Sequence, residues 1–313
     1  MILSVLGIVG GLVVLTFASD QFVVGAARVA RVLKLSPILI GAVVIGFGTS
    51  APEMLVSGLA GAQGSLDIGI GNIIGSNVAN LSLVLGVAAL VTPIVVRSPV
   101  LKREAPIALI ATIIFAVVVQ GGLAGGEATI LLIVLVVGLT LIILGARRGG
   151  EDQLTAEVDE LVVPGMSTGR EVLRTLLGLA FTLGAAQILV VSAVDIAGRL
   201  GLEEGFVGLT IVAIGTSLPE LATAIQAARK GQTDLIVGNL LGSNLFNAGA
   251  VGAVAGYLGP GALQDPSLTG TAVYLMVGIA VLATAFMVTG RRVARWEGAT
   301  LLLIYVVAVP LLA

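Results

Sequence analysis

Two glutamates carry the clearest chemical signal in this sequence. Glu53 and Glu220 each sit well inside a long apolar stretch, whereas most other acidic residues fall in loops or near segment ends. A carboxylate at that depth is costly unless it is paired or binds an ion. No Lys or Arg stands at matching depth, so an internal salt bridge is not expected. Thr49 and Glu53 are four residues apart and share a helix face, as do Thr216 and Glu220. Ser76 with Asn80, and Ser243 with Asn247, repeat the spacing. Every one of these groups offers an oxygen. Calcium takes about six to eight oxygens in a flexible cage and magnesium a tighter octahedron; sodium also accepts hydroxyl and carbonyl oxygens. The plainer alternatives are a pair of protonated, hydrogen-bonded acids, and hydroxyl residues that merely let helices pack closely. Their duplication beside Glu favours a cation site.

Proline adds backbone oxygens to this picture. Pro52 cannot donate to the carbonyl of Gly48, and Pro219 cannot donate to that of Gly215. Local unwinding is expected to aim the carbonyls of residues 46–48 and 213–215 inward. Irregular backbone in a membrane is tolerated only inside protein or against a water-filled cavity. Asn72, Asn77, Asn239 and Asn244 are expected to hold helices together by hydrogen bonds rather than to ligate. Asp67 and Asp234 are expected as helix N-caps, with an ion vestibule as the alternative.

The elements that position these residues follow from composition. Of 313 residues, 57% are hydrophobic and only 11% charged, against about 25% charged in soluble domains. Mean hydropathy is +1.13. The chain therefore reads as a polytopic membrane protein. Apolar runs of spanning length fall at residues 2–26, 36–61, 67–91, 104–121, 127–146, 170–198, 205–228, 233–257, 270–289 and 296–312. The first lacks a basic leader and a clean cleavage site, and is expected to be retained. The composition also excludes functions. With no Cys there is no disulfide or thiolate site, and with no His the usual acid–base residue and transition-metal ligand are missing. The net charge of −2 gives no bias toward nucleic acid.

Basic residues set the expected orientation. Arg28, Arg31 and Lys34; Arg97, Lys102 and Arg103; Arg147, Arg148, Arg170 and Arg174; Arg229 and Lys230; and Arg291, Arg292 and Arg295 all fall on alternate connections. Only Arg199 falls on the other side. The positive-inside rule then places both termini outside.

The chain also repeats itself at a constant offset of 167 residues. Gly48-Thr49-Ser50-Ala51-Pro52-Glu53 agrees with Gly215-Thr216-Ser217-Leu218-Pro219-Glu220 at five of six positions. Residues 71–80 agree with 238–247 at six of ten, and Asp67 matches Asp234. Each half holds five apolar segments, and an odd number inverts the second copy in the membrane, as in many secondary transporters. The expected fold is all-α, with ten transmembrane helices as two inverted five-helix repeats, N-out/C-out. Residues 1–146 form the first repeat (motif 46–80), 147–169 a cytoplasmic linker, and 170–313 the second repeat (motif 213–247). The linker's acidic cluster of Glu151, Asp152, Glu157, Asp159 and Glu160 reads as a solvated connection, with ion sensing as the alternative.

The doubled blocks 48–53 with 75–80, and 215–220 with 242–247, resemble the two alpha-repeats of the cation/calcium exchanger superfamily. The GTSxPE form is similar to its sodium/calcium exchanger branch of prokaryotic type. That resemblance implies an antiporter with four central cation sites. Calcium would be held by Glu53, Glu220, Thr49 and Thr216. One sodium site would use Ser76, Thr49, Glu53 and the Gly46 carbonyl, nearer the cytoplasm. Its mirror would use Ser243, Thr216, Glu220 and the Ala213 carbonyl, nearer the outside. Asn80 and Asn247 would border a middle position. Asn247 stands where potassium-dependent relatives favour Asp, which weakens the case for potassium. The first and sixth segments would slide as a pair across the others. The resemblance implies no cofactor and no enzymatic activity; Ca2+ and Na+ are the substrates and the cell membrane is the location. No protein partner is implied, and a monomer is the working expectation. The rival readings are a proton/calcium antiporter, with Glu53 and Glu220 carrying protons, and a cation channel.

Overall fold

The computed structural model describes residues 1–32, 50–96, 100–149, 167–229, 231, 233–309 and 311. The protein is a helical membrane bundle. Helix α1 spans Ile2–Val32 and α2 Ala51–Ala62. Helix α3, Leu66–Val91, is followed by α4, Leu101–Gly121, and α5, Gly125–Gly149. The second half holds α6, Thr168–Leu200; α7, Glu204–Thr216; and α8, Leu218–Arg229. Helix α9 starts as Thr233–Phe246 and runs on to Leu258. Helices α10, Thr271–Val288, and α11, Arg295–Ala308, complete it.

Among the described residues, seven helices are long and apolar enough to cross a membrane, and the α7–α8 pair, bent by 41°, makes an eighth. The difference from ten segments has particular sources. Of segment 36–61 only α2 lies within the described residues. Segment 296–312 corresponds to the 14-residue α11, about 21 Å long at 1.5 Å per residue. The edges of the expected linker 147–169 are helical, since α5 reaches Gly149 and α6 starts at Thr168. Helices are joined at one point by a minimal antiparallel ladder, β1 (Ile94–Val95) with β2 (Arg292–Val293), in which Ile94 faces Val293.

The 167-residue offset reappears in the element bounds. Ala51–Ala62 corresponds to Leu218–Arg229, and Leu66–Ala79 to Thr233–Phe246. Each of the latter runs into a five-residue π turn, Asn80–Val84 and Asn247–Val251, and then a seven-residue helix, Leu85–Val91 and Gly252–Leu258. A π turn widens the helix and is frequent at functional sites. Both begin at an Asn of the repeated block.

Helices α1 and α6 pack along their length. Ser4 donates to Asp195 near one end, while Arg28 pairs with Glu171 at 3.3 Å near the other. This pairing makes the two helices antiparallel. Leu15 of α1 and Ala185, Leu189, Val190 and Ala193 of α6 belong to a small core with Val56, Ile68 and Val212, apart from the larger core of the remaining helices. In lipid such packing is held by van der Waals fit rather than by exclusion of water.

Candidate cation site

Glu53 and Glu220 occupy the first turns of α2 and α8. Each helix is preceded by a non-helical serine, Ser50 (φ −94°, ψ 8°) and Ser217 (φ −87°, ψ 3°), the latter directly after the helical turn Ala213–Thr216. Pro52 and Pro219 therefore sit at a helix start, where the missing N–H would have no partner anyway. This corrects the expectation of an unwound stretch at 213–215: Ala213–Thr216 is a helical turn, and its Ala213 carbonyl accepts from Ser217 N at 3.1 Å. The chain bends at one residue instead. Carboxylates in a first turn are favoured by the partial positive charge of a helix N-terminus.

Both acids are buried, with 1% exposure for Glu53 and 2% for Glu220. None of the ion pairs among the described residues includes either one. The π turn that starts at Asn247 packs against α2, which carries Glu53, and the π turn that starts at Asn80 packs against α8, which carries Glu220. Both oxygens of Glu53, Oε2 of Glu220, Oγ of Ser50 and Ser217, and Oδ1 of Asn77, Asn80 and Asn247 are buried with no hydrogen-bond partner among the described residues. Native interiors leave few polar atoms in this state. Of the eleven such atoms among the described residues, these eight are oxygens on the doubled blocks; the other three are Arg103 Nε, Asp265 Oδ2 and Tyr305 Oη.

The surrounding side chains hold the frame. Asn72 donates through Nδ2 to Ser57 Oγ (3.0 Å) and to the Glu53 backbone carbonyl (3.4 Å), while Thr216 donates to its Oδ1 at 3.2 Å. One asparagine thus ties α2, α3 and α7 together. Ser76 Oγ lies 3.5 Å from Thr216 Oγ1, and Thr216 Oγ1 lies 3.3 Å from the Ala213 carbonyl oxygen. Asn80 donates to Asn244 Oδ1 at 3.0 Å, and Asn244 donates to the Asn77 carbonyl at 3.3 Å, joining α3 to α9. Close approach of α3 to α7 depends on Gly75, where a Cβ would lie 2.1 Å from the Leu209 carbonyl oxygen and 2.5 Å from Ala213 Cβ.

Structure thus brings Ser76 to Thr216 across the two halves; Glu53, Glu220, Asn80 and Asn247 are each buried to 2% exposure or less, Ser243 is buried on α9 at 2% exposure, and Ala213 lies in the last turn of α7. Gly46 and Thr49 lie outside the described residues. Asp67 is not the expected N-cap. That position is Ser65, and the Asp67 carboxylate accepts from the backbone N–H of Gln264 (3.0 Å) and Asp265 (2.7 Å). The loop before α10 crosses the start of α3, and its amides need acceptors. The Asp234 side chain lies outside the described residues. Sequence reasoning missed Ser57, Ser50 and Ser217. Ser50 and Ser217 were visible as an identity in the doubled block, whereas Ser57 has Ala224 at its matching position and gave no signal.

Comparison with known proteins agrees with this geometry. The family model described as sodium/calcium exchanger protein matches residues 3–144 and again 171–312. The putative antiporter CaxA of Alkalimonas amylolytica is 38% identical over 312 residues, covering 98% of this chain and 97% of its own. The sodium/calcium exchanger MaX1 of Methanosarcina acetivorans is 29% identical, covering 95% and 94%. A solved structure of the sodium-calcium exchanger NCX_Mj superposes with a TM-score of 0.65 at 31% identity, covering 99% of this chain and 98% of that one. With nearly all of its length matched by that family model, a transporter fold and no enzyme among these relatives, the chain belongs to the sodium/calcium exchanger family, whose members are membrane antiporters.

Proposed function

We propose that this protein exchanges Na+ for Ca2+ across the cell membrane by alternating access, in the direction of calcium extrusion. The observation that carries the reading is the set of unpartnered buried oxygens around Glu53 and Glu220. Calcium is assigned to Glu53, Glu220, Thr49 and Thr216. Sodium is assigned to Ser76, Thr49, Glu53 and the Gly46 carbonyl on one side, and to Ser243, Thr216, Glu220 and the Ala213 carbonyl on the other. Asn80 and Asn247 border the middle position.

The ligand sets overlap, so full occupancy by both ions is excluded. Sodium entering down its gradient displaces calcium. An ion drives the change of access only through its differential affinity for the two states. An occupied site is electrically compensated and can be closed off from water; the empty pair of carboxylates resists this, which enforces exchange over leak. The small separate core between the α1–α6 pair and the rest of the bundle supports movement of that pair. Ten spans in two inverted repeats with both termini outside are supported by the matching element bounds and by the distribution of Lys and Arg.

Coupling to sodium rather than protons is favoured by the neutral amides at positions 80 and 247, which leave two acids at the centre. The test is reconstitution into liposomes with imposed sodium, potassium or proton gradients while radiolabelled calcium is followed. Calcium uptake driven by an outward sodium gradient without a pH gradient is the expected result. Uptake driven only by a proton gradient assigns the protein to proton/calcium exchange, and flux without any counter-ion assigns it to a channel.

A further inference from the structure

Away from the acids, a groove of about 390 Å³ lies between α1 and α6. Val13, Val14 and Phe17 form one wall, and Leu177 and Phe181 the other, with Arg174 at its edge. These walls are largely exposed, Phe17 at 70% and Phe181 at 61%. On α6 the basic residues continue the line of the groove. Arg170, Arg174, Leu177 and Phe181 follow one another at steps of four, three and four residues and so share a helix face. Arg170 is exposed beyond the apolar walls. Glu171, the acid beside them, pairs with Arg174 at 3.6 Å and with Arg28 at 3.3 Å. Asp20, the other acid near the groove among the described residues, is exposed and accepts from Gln21 at 3.0 Å. Among the described residues, Arg28, Arg170 and Arg174 stand against Glu171 and Asp20 at this end of the helix pair.

An apolar trough with Arg174 at its edge and Arg170 one helical turn further along the same face matches an acyl chain joined to a phosphate. Arginine holds phosphate through paired N–H donors, and basic pockets between membrane helices recognise anionic headgroups. We infer that the α1–α6 groove is a binding site for an anionic phospholipid, with an acyl chain against Phe17 and Phe181 and its phosphate on Arg170 and Arg174. The inference does not depend on which ion is coupled to calcium. The site lies on the helix pair proposed to move, which places a lipid where it biases that movement.

The test is native mass spectrometry of the full chain in mild detergent with equal amounts of phosphatidylglycerol and phosphatidylcholine bearing the same chains. The expected result is selective retention of phosphatidylglycerol. The R170Q/R174Q double variant should lower the phosphatidylglycerol affinity on the order of tenfold or more and lose the preference, while R170K/R174K should keep the preference. Leu177→Trp, which fills the groove and leaves both arginines in place, should lower phosphatidylglycerol retention by itself and covers the case in which the arginine variants do not fold. Equal retention of the two lipids by the wild-type chain, or unchanged phosphatidylglycerol retention in the double variant or in Leu177→Trp, overturns the inference.

Discussion

Ser76 Oγ and Thr216 Oγ1, separated by 140 residues of sequence, lie 3.5 Å apart at 0% and 1% exposure. They come from opposite halves of the chain, so the doubled blocks do meet. Two hydroxyls so placed, beside a carboxylate whose oxygens have no donor among the described residues, make a small cluster of hard oxygen ligands. Calcium and sodium both take such ligands, and the proposed antiport depends on their competition for them.

The serine positions separate the two ions. Ser76→Ala and Ser243→Ala each remove one hydroxyl from the proposed sodium sites and none from the calcium site. Sodium activation of calcium flux should shift to higher concentration by about tenfold, the effect of roughly 1.4 kcal/mol, with a smaller change in calcium affinity. Equal shifts for both ions would merge the proposed sites.

Asn72 is the frame's joint. Asn72→Ala removes the donor to Ser57 Oγ and the acceptor of Thr216 Oγ1, leaving these hydroxyls only their contacts to the Gly69 and Ala213 carbonyls, and the loss of such buried hydrogen bonds costs about 1–3 kcal/mol. The detergent-solubilised variant should melt at lower temperature and bind both ions more weakly. Unchanged melting and unchanged exchange would show that the three helices do not rely on this side chain.

Gly75→Ala drives a methyl group into the Leu209 carbonyl and Ala213, whereas a Cβ at Gly10 would meet nothing within 4 Å. Overpacking typically costs about 1–3 kcal/mol. Gly75→Ala should therefore lose stability and sodium affinity, since Ser76 must move with the helix; Gly10→Ala should leave both unchanged. Calorimetry and sodium titration of calcium flux read the two effects.

Much of this arrangement was legible in the sequence because it is written twice. The acids, their prolines and the Ser–Asn pairs recur at one offset, and the helix bounds recur at the same offset. What was hidden depends on contacts across the bundle. The π turns at Asn80 and Asn247 leave the apolar pattern unbroken, because widening a helix by one residue per turn needs no change of residue type. Ser57 is chosen by the passage of α3, whose Gly69 carbonyl accepts its hydroxyl at 3.0 Å. Asp67 is satisfied by loop amides 197 and 198 residues away, which no local capping pattern anticipates. The prolines were read as breakers, yet each opens a helix whose first turn holds the acid.

The glutamates should be individually indispensable. Glu53→Gln and Glu220→Gln preserve volume and hydrogen-bonding capacity but remove one of two charges, so each should reduce sodium-driven calcium flux by at least about a hundredfold, the effect of roughly 2.8 kcal/mol, with melting temperature held or raised. Full transport by either variant would remove that residue from the site.

The most direct measurement is anomalous diffraction from crystals of the protein soaked in calcium, collected at long wavelength. The account predicts one dominant central peak about 2.3–2.6 Å from an oxygen of Glu53 and from an oxygen of Glu220 at once. A calcium peak on only one of the two carboxylates, or a centre without calcium while transport persists, would contradict it.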